Sequence, residues 1–513
     1  MNEGIQRKSG VILSYIAIII NTIVQLLYTP LLIRSLGQSE YGLYSLVASV
    51  IGYLTVLDLG FGNAIIVFTA KFREQKKYEE EKKLQGMFKC VFIIIGTIAF
   101  FLGVILFLNI ENLFGKTMTC YEINKMKIMT LILSFNLLLT FAFSIYSSII
   151  NAYEKFVFQK IMAIISALLK PLIMLPFLFL GYKSITMCVV ITIVNIFVYF
   201  SNFYYCKNKL KINIKYQGFD KKMFFVILNY SIWIFIGALV DKANWSVDNF
   251  VLGAVSGTIA VSIYSIAATL NQLFISLSTA ISGVLLPKMS KLVAKKASSH
   301  ELTDEMIKVG RLQNYIIFLM CSGLVLFGKE FIKIWAGDGF EESYYVALLL
   351  IIPVCFPLIQ NIGLSIIQAM NKYKFKSISS GIMAILNIII SIFLAQRWGA
   401  IGAAIGTCIS LVICNIVIIN FYYYKKLKLN VIRFWKDILK QSIPFTIPIV
   451  MILLLMNLIR IEGIVGLLLY GLIYTSTFGL VSYYFSMNYY EKNIVNNVLN
   501  KLKFKKGKYE NNN

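Results

Sequence analysis

Histidine is nearly missing from this sequence. His300 stands alone in 513 residues, so a metal site built on imidazole ligands is excluded, and its charged segment, 288–311, marks it as a solvated side chain. Eight cysteines are present, but only Cys120 is expected outside an apolar run, which leaves no disulfide framework and no thiolate metal cluster. The chain contains no GxxxxGK[ST], so no phosphate-cradling loop powers it directly. HExxH and G-x-S-x-G are absent too, and with them the zinc-peptidase and serine-hydrolase readings. The longest expected outer loop, 111–127, is shorter than about 20 residues, too short for an extramembrane catalytic domain of ordinary size. No cofactor and no catalytic residue is indicated.

Acidic residues are scarce, 24 against 49 Lys and Arg, for a formal net charge of +25. That excess is not the footprint of a nucleic-acid binder, because the basic residues sit in short loops between apolar runs. Apolar residues are abundant: 58% of the chain is hydrophobic, 14% is charged, and the mean hydropathy is +0.75. These values describe an all-α polytopic membrane protein. Runs of roughly 20 apolar residues suit spanning helices, and about fourteen can be drawn, from 11–33, 43–68 and 161–182 through 377–396 and 400–424 to 441–460 and 463–486. The first run follows Arg7 and Lys8, exceeds a signal-peptide core and lacks a small-x-small cleavage site, so it is expected to be retained. Most Lys and Arg then lie on the side of both termini, which places the N- and C-termini in the cytoplasm.

One junction is written twice. FYYCKNKLKIN begins at Phe203 and FYYYKKLKLN at Phe421, each closing an apolar run. The turn Ala152-Tyr-Glu-Lys-Phe-Val-Phe158 matches Ala369-Met-Asn-Lys-Tyr-Lys-Phe375, and Gly37–Ser45 (GQSEYGLYS) matches Gly257–Ser265 (GTIAVSIYS) at nearly the same offset. Matches at one offset indicate duplication. The expected organisation is a bundle of about six helices over 1–206, a basic linker over 207–222, a second such bundle over 223–424, two further helices over 425–486, and a basic tail over 487–513. Parallel repeats of this kind are expected to flank a substrate cavity. The tail reads either as an interfacial helix on anionic lipid or as a disordered segment. Ser298-x-x-Glu301 is a capping-box pattern and predicts a short surface helix there.

Polar residues in mid-membrane are costly and face a bundle interior or water. Ser14, Asn21, Gln25 and Tyr28 share one stripe of the first run, and Asn229, Trp233, Asp241, Asn244 and Asp248 share one on the seventh. Thr55, Asp58 and Gly62 mark the second run, with Ser278 and Ser282 at the equivalent places of the eighth. The fourth contributes Asn136 and Thr140. Lys170, just before Pro171, lies too far from either end of its run to snorkel to the interface, and it maps onto Asn387 in the second half. Asp241 and Lys242 point about 100° apart on a helix, so Lys242 is free to reach another partner such as Asp58. The Ser, Thr and Asn residues serve equally well as glue between helices.

Arg34-Ser-Leu-Gly-Gln-Ser-Glu-Tyr-Gly-Leu-Tyr44, Leu57-Asp-Leu-Gly-Phe-Gly62, Asp248-Asn-Phe-Val-Leu-Gly253, Ile263-Tyr-Ser265, Pro287-Lys-Met-Ser290 and Ile332-Lys-Ile-Trp-Ala-Gly337 together give the chain a family likeness. It resembles the bacterial polysaccharide transporters of the multidrug/oligosaccharidyl-lipid/polysaccharide exporter superfamily, which include O-antigen and teichoic-acid-type flippases. The resemblance implies a V-shaped pair of bundles in the bacterial plasma membrane that flips an undecaprenyl-diphosphate-linked oligosaccharide outward by ion-coupled alternating access. The cargo, H⁺ or Na⁺, anionic lipids and a polysaccharide polymerase machinery are the partners it implies. Lys170 is then the candidate for the diphosphate or an acidic sugar, with Lys242, Asn21, Gln25, Tyr28, Asn136, Asn244 and Asn387 as further substrate contacts. Asp58, Asp241 and Asp248 are the candidates for ion coupling. A cation-coupled multidrug exporter of the same superfamily is the competing expectation, and an integral-membrane polymerase or ligase is a third, disfavoured by the short outer loops.

Overall fold

The computed structural model describes residues 3–282, 292–293, 297–370, 372–459 and 461–497, and among them every regular element is helical. The first half holds α1 (Glu3–Leu36), α2 (Gln38–Leu54), α3 (Phe61–Glu74), α4 (Tyr78–Phe114), α5 (Cys120–Ala152), α6 (Phe156–Phe179) and α7 (Ser184–Tyr204). Then follow α8 (Lys221–Trp245), α9 (Val247–Val255), α10 (Gly257–Ser282), α11 (Ser299–Ala336), α12 (Glu342–Ile359), α13 (Asn361–Ala369) and α14 (Tyr373–Leu411). The chain closes with α15 (Ile419–Lys426), α16 (Val431–Ser442), α17 (Thr446–Leu458) and α18 (Gly463–Val481). Helices are what hydrocarbon allows, since they satisfy their own backbone. Pro287 and most of the segment after it lie outside the described residues.

Thirteen helical runs among the described residues are long and apolar enough to span a bilayer. One of them, 374–426, is 53 residues long, far beyond the roughly 20 that a crossing requires. It doubles back. Trp398 has φ −125° and Gly399 φ 51°, ψ −130°, and across this turn Ser410 Oγ donates to Met383 O at 2.9 Å while Ser391 Oγ reaches Ala403 O at 3.3 Å. The run is a tight hairpin, with the expected helices 377–396 and 400–424 as its limbs.

Ends are set by local chemistry. Thr119 and Glu122 form a capping box that starts α5. Asp220 caps α8, and the Met223 N–H with Lys83 holds its carboxyl below the usual carboxylate range. Ser298 and Glu301 exchange capping bonds as the pattern predicts, at 3.2 and 2.9 Å, but the helix they open is α11 itself rather than a short surface segment. His300, in its first turn, is exposed and accepts from Arg433 at 2.9 Å.

The repeated junctions fold alike. Lys211 and Lys428 both take φ 55°. Ile212 N–H donates to Cys206 O and Leu429 N–H to Tyr423 O, at 3.1 and 3.0 Å. Phe158 stacks on Tyr205 and Phe375 on Tyr422, with ring centroids 4.0 and 4.2 Å apart. A likeness read from letters is thus a likeness of turns and contacts.

Packing divides the chain into two compact units, 1–269 with 336–346 and 377–410, and 270–335 with 347–376 and 411–513. In the first, the matching turns 37–45 and 257–265 meet. Glu122 accepts from Ser39 Oγ at 2.6 Å and from Thr258 Oγ1 at 2.8 Å, and buried Glu40 is held by Lys125 and Ser184. In the second, Phe445, Tyr470, Tyr474 and Phe478 of the last helices pack on Tyr315 and Phe318 of α11. Arg311 grips Glu491, which is 2% exposed, through Nε and Nη2 at 2.6 and 2.9 Å. Residues 489–497 are helical, and 498–513 of the expected tail lie outside the described residues.

Gly42 is closely packed, because a Cβ there would stand 1.9 Å from Thr258 O. Gly42→Ala should lower stability by about 1–3 kcal/mol, the usual cost of overpacking. Thermal unfolding of the detergent-solubilised protein measures it, and an unchanged Tm would mean that α2 and α10 do not meet at this residue.

Candidate functional site

A cavity of about 580 Å3 opens in the first unit between α1, α2, α6 and α7. The polar stripe of α1 forms one wall with Asn21, Gln25 and Tyr28, and Lys170 stands on the facing wall with Ser166. Tyr44 of α2 closes one side, and Met174, Met187 and Val190 continue into an apolar cluster with Leu32 and Leu36. Pro171 has no N–H to give the carbonyl of Ala167, so the helix ladder is interrupted beside the lysine, and Ala167 also lines the cavity. Asn21 donates to Ala17 O at 2.8 Å. Among the described residues no carboxylate pairs with Lys170. A half-buried ammonium without a carboxylate partner is costly to keep, and an anion entering the cavity would offset its charge.

A second polar centre lies in the same unit. Asp248, at the start of α9, is 1% exposed. Its Oδ2 accepts from Tyr264 OH of α10 at 2.5 Å and from Thr407 Oγ1 at 2.8 Å, while Oδ1 has no partner. Asn387 Oδ1, from the other limb of the hairpin, lies 3.3 Å from Thr407 Oγ1 and accepts from Ser391 at 3.0 Å. Each hydroxyl has one proton to give, and none of these is given to Oδ1. Burying a carboxylate among neutral groups in this way calls for a proton or a cation.

The expected site residues therefore separate. Asn21, Gln25, Tyr28 and Lys170 come together, as one helical stripe and one buried cation suggested. Asn387 instead joins Asp248. Asn136, 9% exposed, accepts from Asn195 at 3.4 Å beside the Thr140–Tyr199 pair at 2.6 Å, and it joins α5 to α7. Asp58 accepts from Gly62 N–H at 3.3 Å. Lys242 does not pair with it: its ammonium lies against Gly52, 3.4 Å from where a Cβ would stand. The side chains of Asp241 and Asn244 lie outside the described residues. Tyr264, Ser391 and Thr407 were not singled out as site residues in the sequence, where hydroxyls on apolar helices read as packing groups; only the Ile263-Tyr-Ser265 motif hinted at the first.

A family profile described as "Polysaccharide biosynthesis protein" matches residues 8–293. A "Putative O-antigen transporter" from Shigella flexneri is 22% identical over 408 residues, 76% of this chain and 91% of that protein. A solved structure described as "Lipid II flippase MurJ, inward closed conformation" superposes with a TM-score of 0.71 at 20% identity, covering 92% of this chain and 97% of that one. An inward-facing multidrug resistance MATE family transporter of the MOP superfamily gives a TM-score of 0.64 at 12% identity over 78% of this chain and 92% of that one. The last two likenesses are of fold. The profile bears out the resemblance read from the motifs.

The separation of these residues is testable. In a background without the eight native cysteines, Lys170→Cys should react with a water-soluble thiol reagent and Asn136→Cys should not. Equal labelling of both would contradict the assignment of one to a cavity and the other to a helix seam.

Proposed function

The chain belongs to the polysaccharide biosynthesis protein family, and from that premise we propose that it moves lipid-linked polysaccharide precursors across the membrane as a flippase. The cargo is an oligosaccharide on undecaprenyl diphosphate, carried from the inner to the outer leaflet by alternating access between two halves, 1–206 and 223–424. Lys170 supports this reading more than any other residue. It is a cation with no carboxylate partner among the described residues, in a cavity whose lining adds amide, hydroxyl and phenol groups on Asn21, Gln25, Ser166 and Tyr28 to apolar side chains, which suits an anionic phosphate or acidic sugar beside neutral sugar hydroxyls. The polyprenyl chain needs no protein cavity, since it can remain in lipid.

Ion coupling falls to Asp248 in this account. Its unpartnered Oδ1 and the nearby oxygens of Asn387 and Thr407 offer hard oxygen donors to Na⁺ or a place for H⁺. Binding of either removes a buried charge and thereby favours one packing of α9, α10 and the hairpin over another. A cationic-drug exporter would want a carboxylate in the cavity; the described lining holds a lysine and no acid.

Lys170→Ala should abolish delivery of the surface polysaccharide while the protein still inserts at its normal level. Normal delivery by that variant would remove Lys170 from the cargo site. Asp248→Asn should change the dependence of transport on Na⁺ or pH; a profile identical to wild type would place coupling elsewhere.

A further inference from the structure

The second apolar run is not one helix. α2 ends at Leu54, a 3-10 turn occupies Thr55–Asp58, and α3 begins at Phe61. Between them Leu59 has φ 52° and Gly60 φ 74°. Glycine enters the left-handed region freely, but leucine does so at a cost, and it stays there only where the surroundings hold it. Those surroundings are α8 and α5. A Cβ on Gly60 would stand 2.9 Å from Ile234 Cβ and 3.0 Å from Ser231 O, and one on Gly62 would lie 3.7 Å from Ser148 Oγ. Ser231 is fully buried and its hydroxyl has no partner. The wall behind the break thus carries a polar group that the present packing leaves unused.

Breaking a helix in hydrocarbon leaves the first N–H groups of the following limb without acceptors. Asp58 supplies one: its Oδ2 accepts from the Gly62 N–H. Both carboxylate oxygens lie 3.5 Å from where a Cβ on Gly62 would be, so the carboxylate sits directly against the backbone at the start of α3. Among the described residues no Lys or Arg pairs with Asp58. Its partners are backbone N–H groups of the break itself, at Gly62 and Gly60, in contrast to the hydroxyl and amide oxygens gathered at Asp248.

We propose that Asp58 is a positioning residue: its carboxylate caps α3 and holds the break at Thr55–Gly60 as the hinge on which the second membrane run bends during transport. It acts through the backbone and does not bind the driving ion. The inference rests on the transport reading above and gives that reading a moving part.

The test compares Asp58→Asn, which keeps a capping oxygen without the charge, with Asp58→Ala, which keeps neither. Each is expressed in a strain lacking the native gene, and delivery of surface polysaccharide is followed across a series of Na⁺ concentrations and pH values at equal protein level in the membrane. The Asn variant is expected to deliver at the wild-type rate with an unchanged ion profile. The Ala variant should fall on the order of tenfold, the scale of losing one helix cap. An Asn variant that fails as Ala does, or whose ion profile shifts, would overturn the proposal by showing that the charge matters; an Ala variant equal to wild type would overturn it by showing that the cap does not. If wild-type protein restores no polysaccharide, the transport reading fails instead.

Discussion

Hydrocarbon offers no hydrogen bonds, and everything in this protein answers to that constraint. Backbone groups close on themselves as helices, and polar side chains within the runs find one another. Thr140 meets Tyr199, Asn136 meets Asn195, and Ser322 meets Tyr474 at 2.6 Å. Near the ends of helices the same demand is met by charge, as where Arg311 and Tyr315 converge on Glu491. Such pairs hold helices together.

Against that background the exceptions carry the chemistry. Among the described residues, Lys170 keeps an ammonium in a cavity with no carboxylate to balance it, and Asp248 keeps a carboxylate oxygen with no donor. The two lie in one compact unit and are opposite in sign. In the proposed cycle the first waits for an anionic cargo and the second for a cation, so each ligand relieves its own buried charge. Backbone irregularities accompany them: Pro171 beside Lys170, the turn at Trp398–Gly399 behind Asn387 and Thr407, and the left-handed pair Leu59–Gly60 after Asp58. Where helices stop being regular, they gain both room for ligands and freedom to bend.

Much of this was legible in the letters. Apolar runs fall where the helices are, because spanning length is fixed by the bilayer, and the junctions at Phe203 and Phe421 read as repeats because turns, stacks and basic ends recur together. Asn21, Gln25, Tyr28 and Lys170 could be grouped because helical phase puts a stripe on one face. Phase along one helix does not tell which neighbour that face meets. Asn387 was therefore paired with Lys170 by equivalence, whereas the hairpin turns it toward Thr407 and Asp248. Lys242 failed to meet Asp58 for the same reason. The break after Asp58 was hidden as well, since a left-handed leucine leaves no mark in a sequence beyond the glycines that follow it.

The central claim is that the chain carries a lipid-linked oligosaccharide. Deleting the gene in the native host and extracting the lipids tests it most directly. The account predicts that a complete repeat unit on a polyprenyl diphosphate accumulates while the surface polysaccharide disappears, and the accumulated lipid would identify the cargo. Intact surface polysaccharide with no accumulated precursor would contradict it.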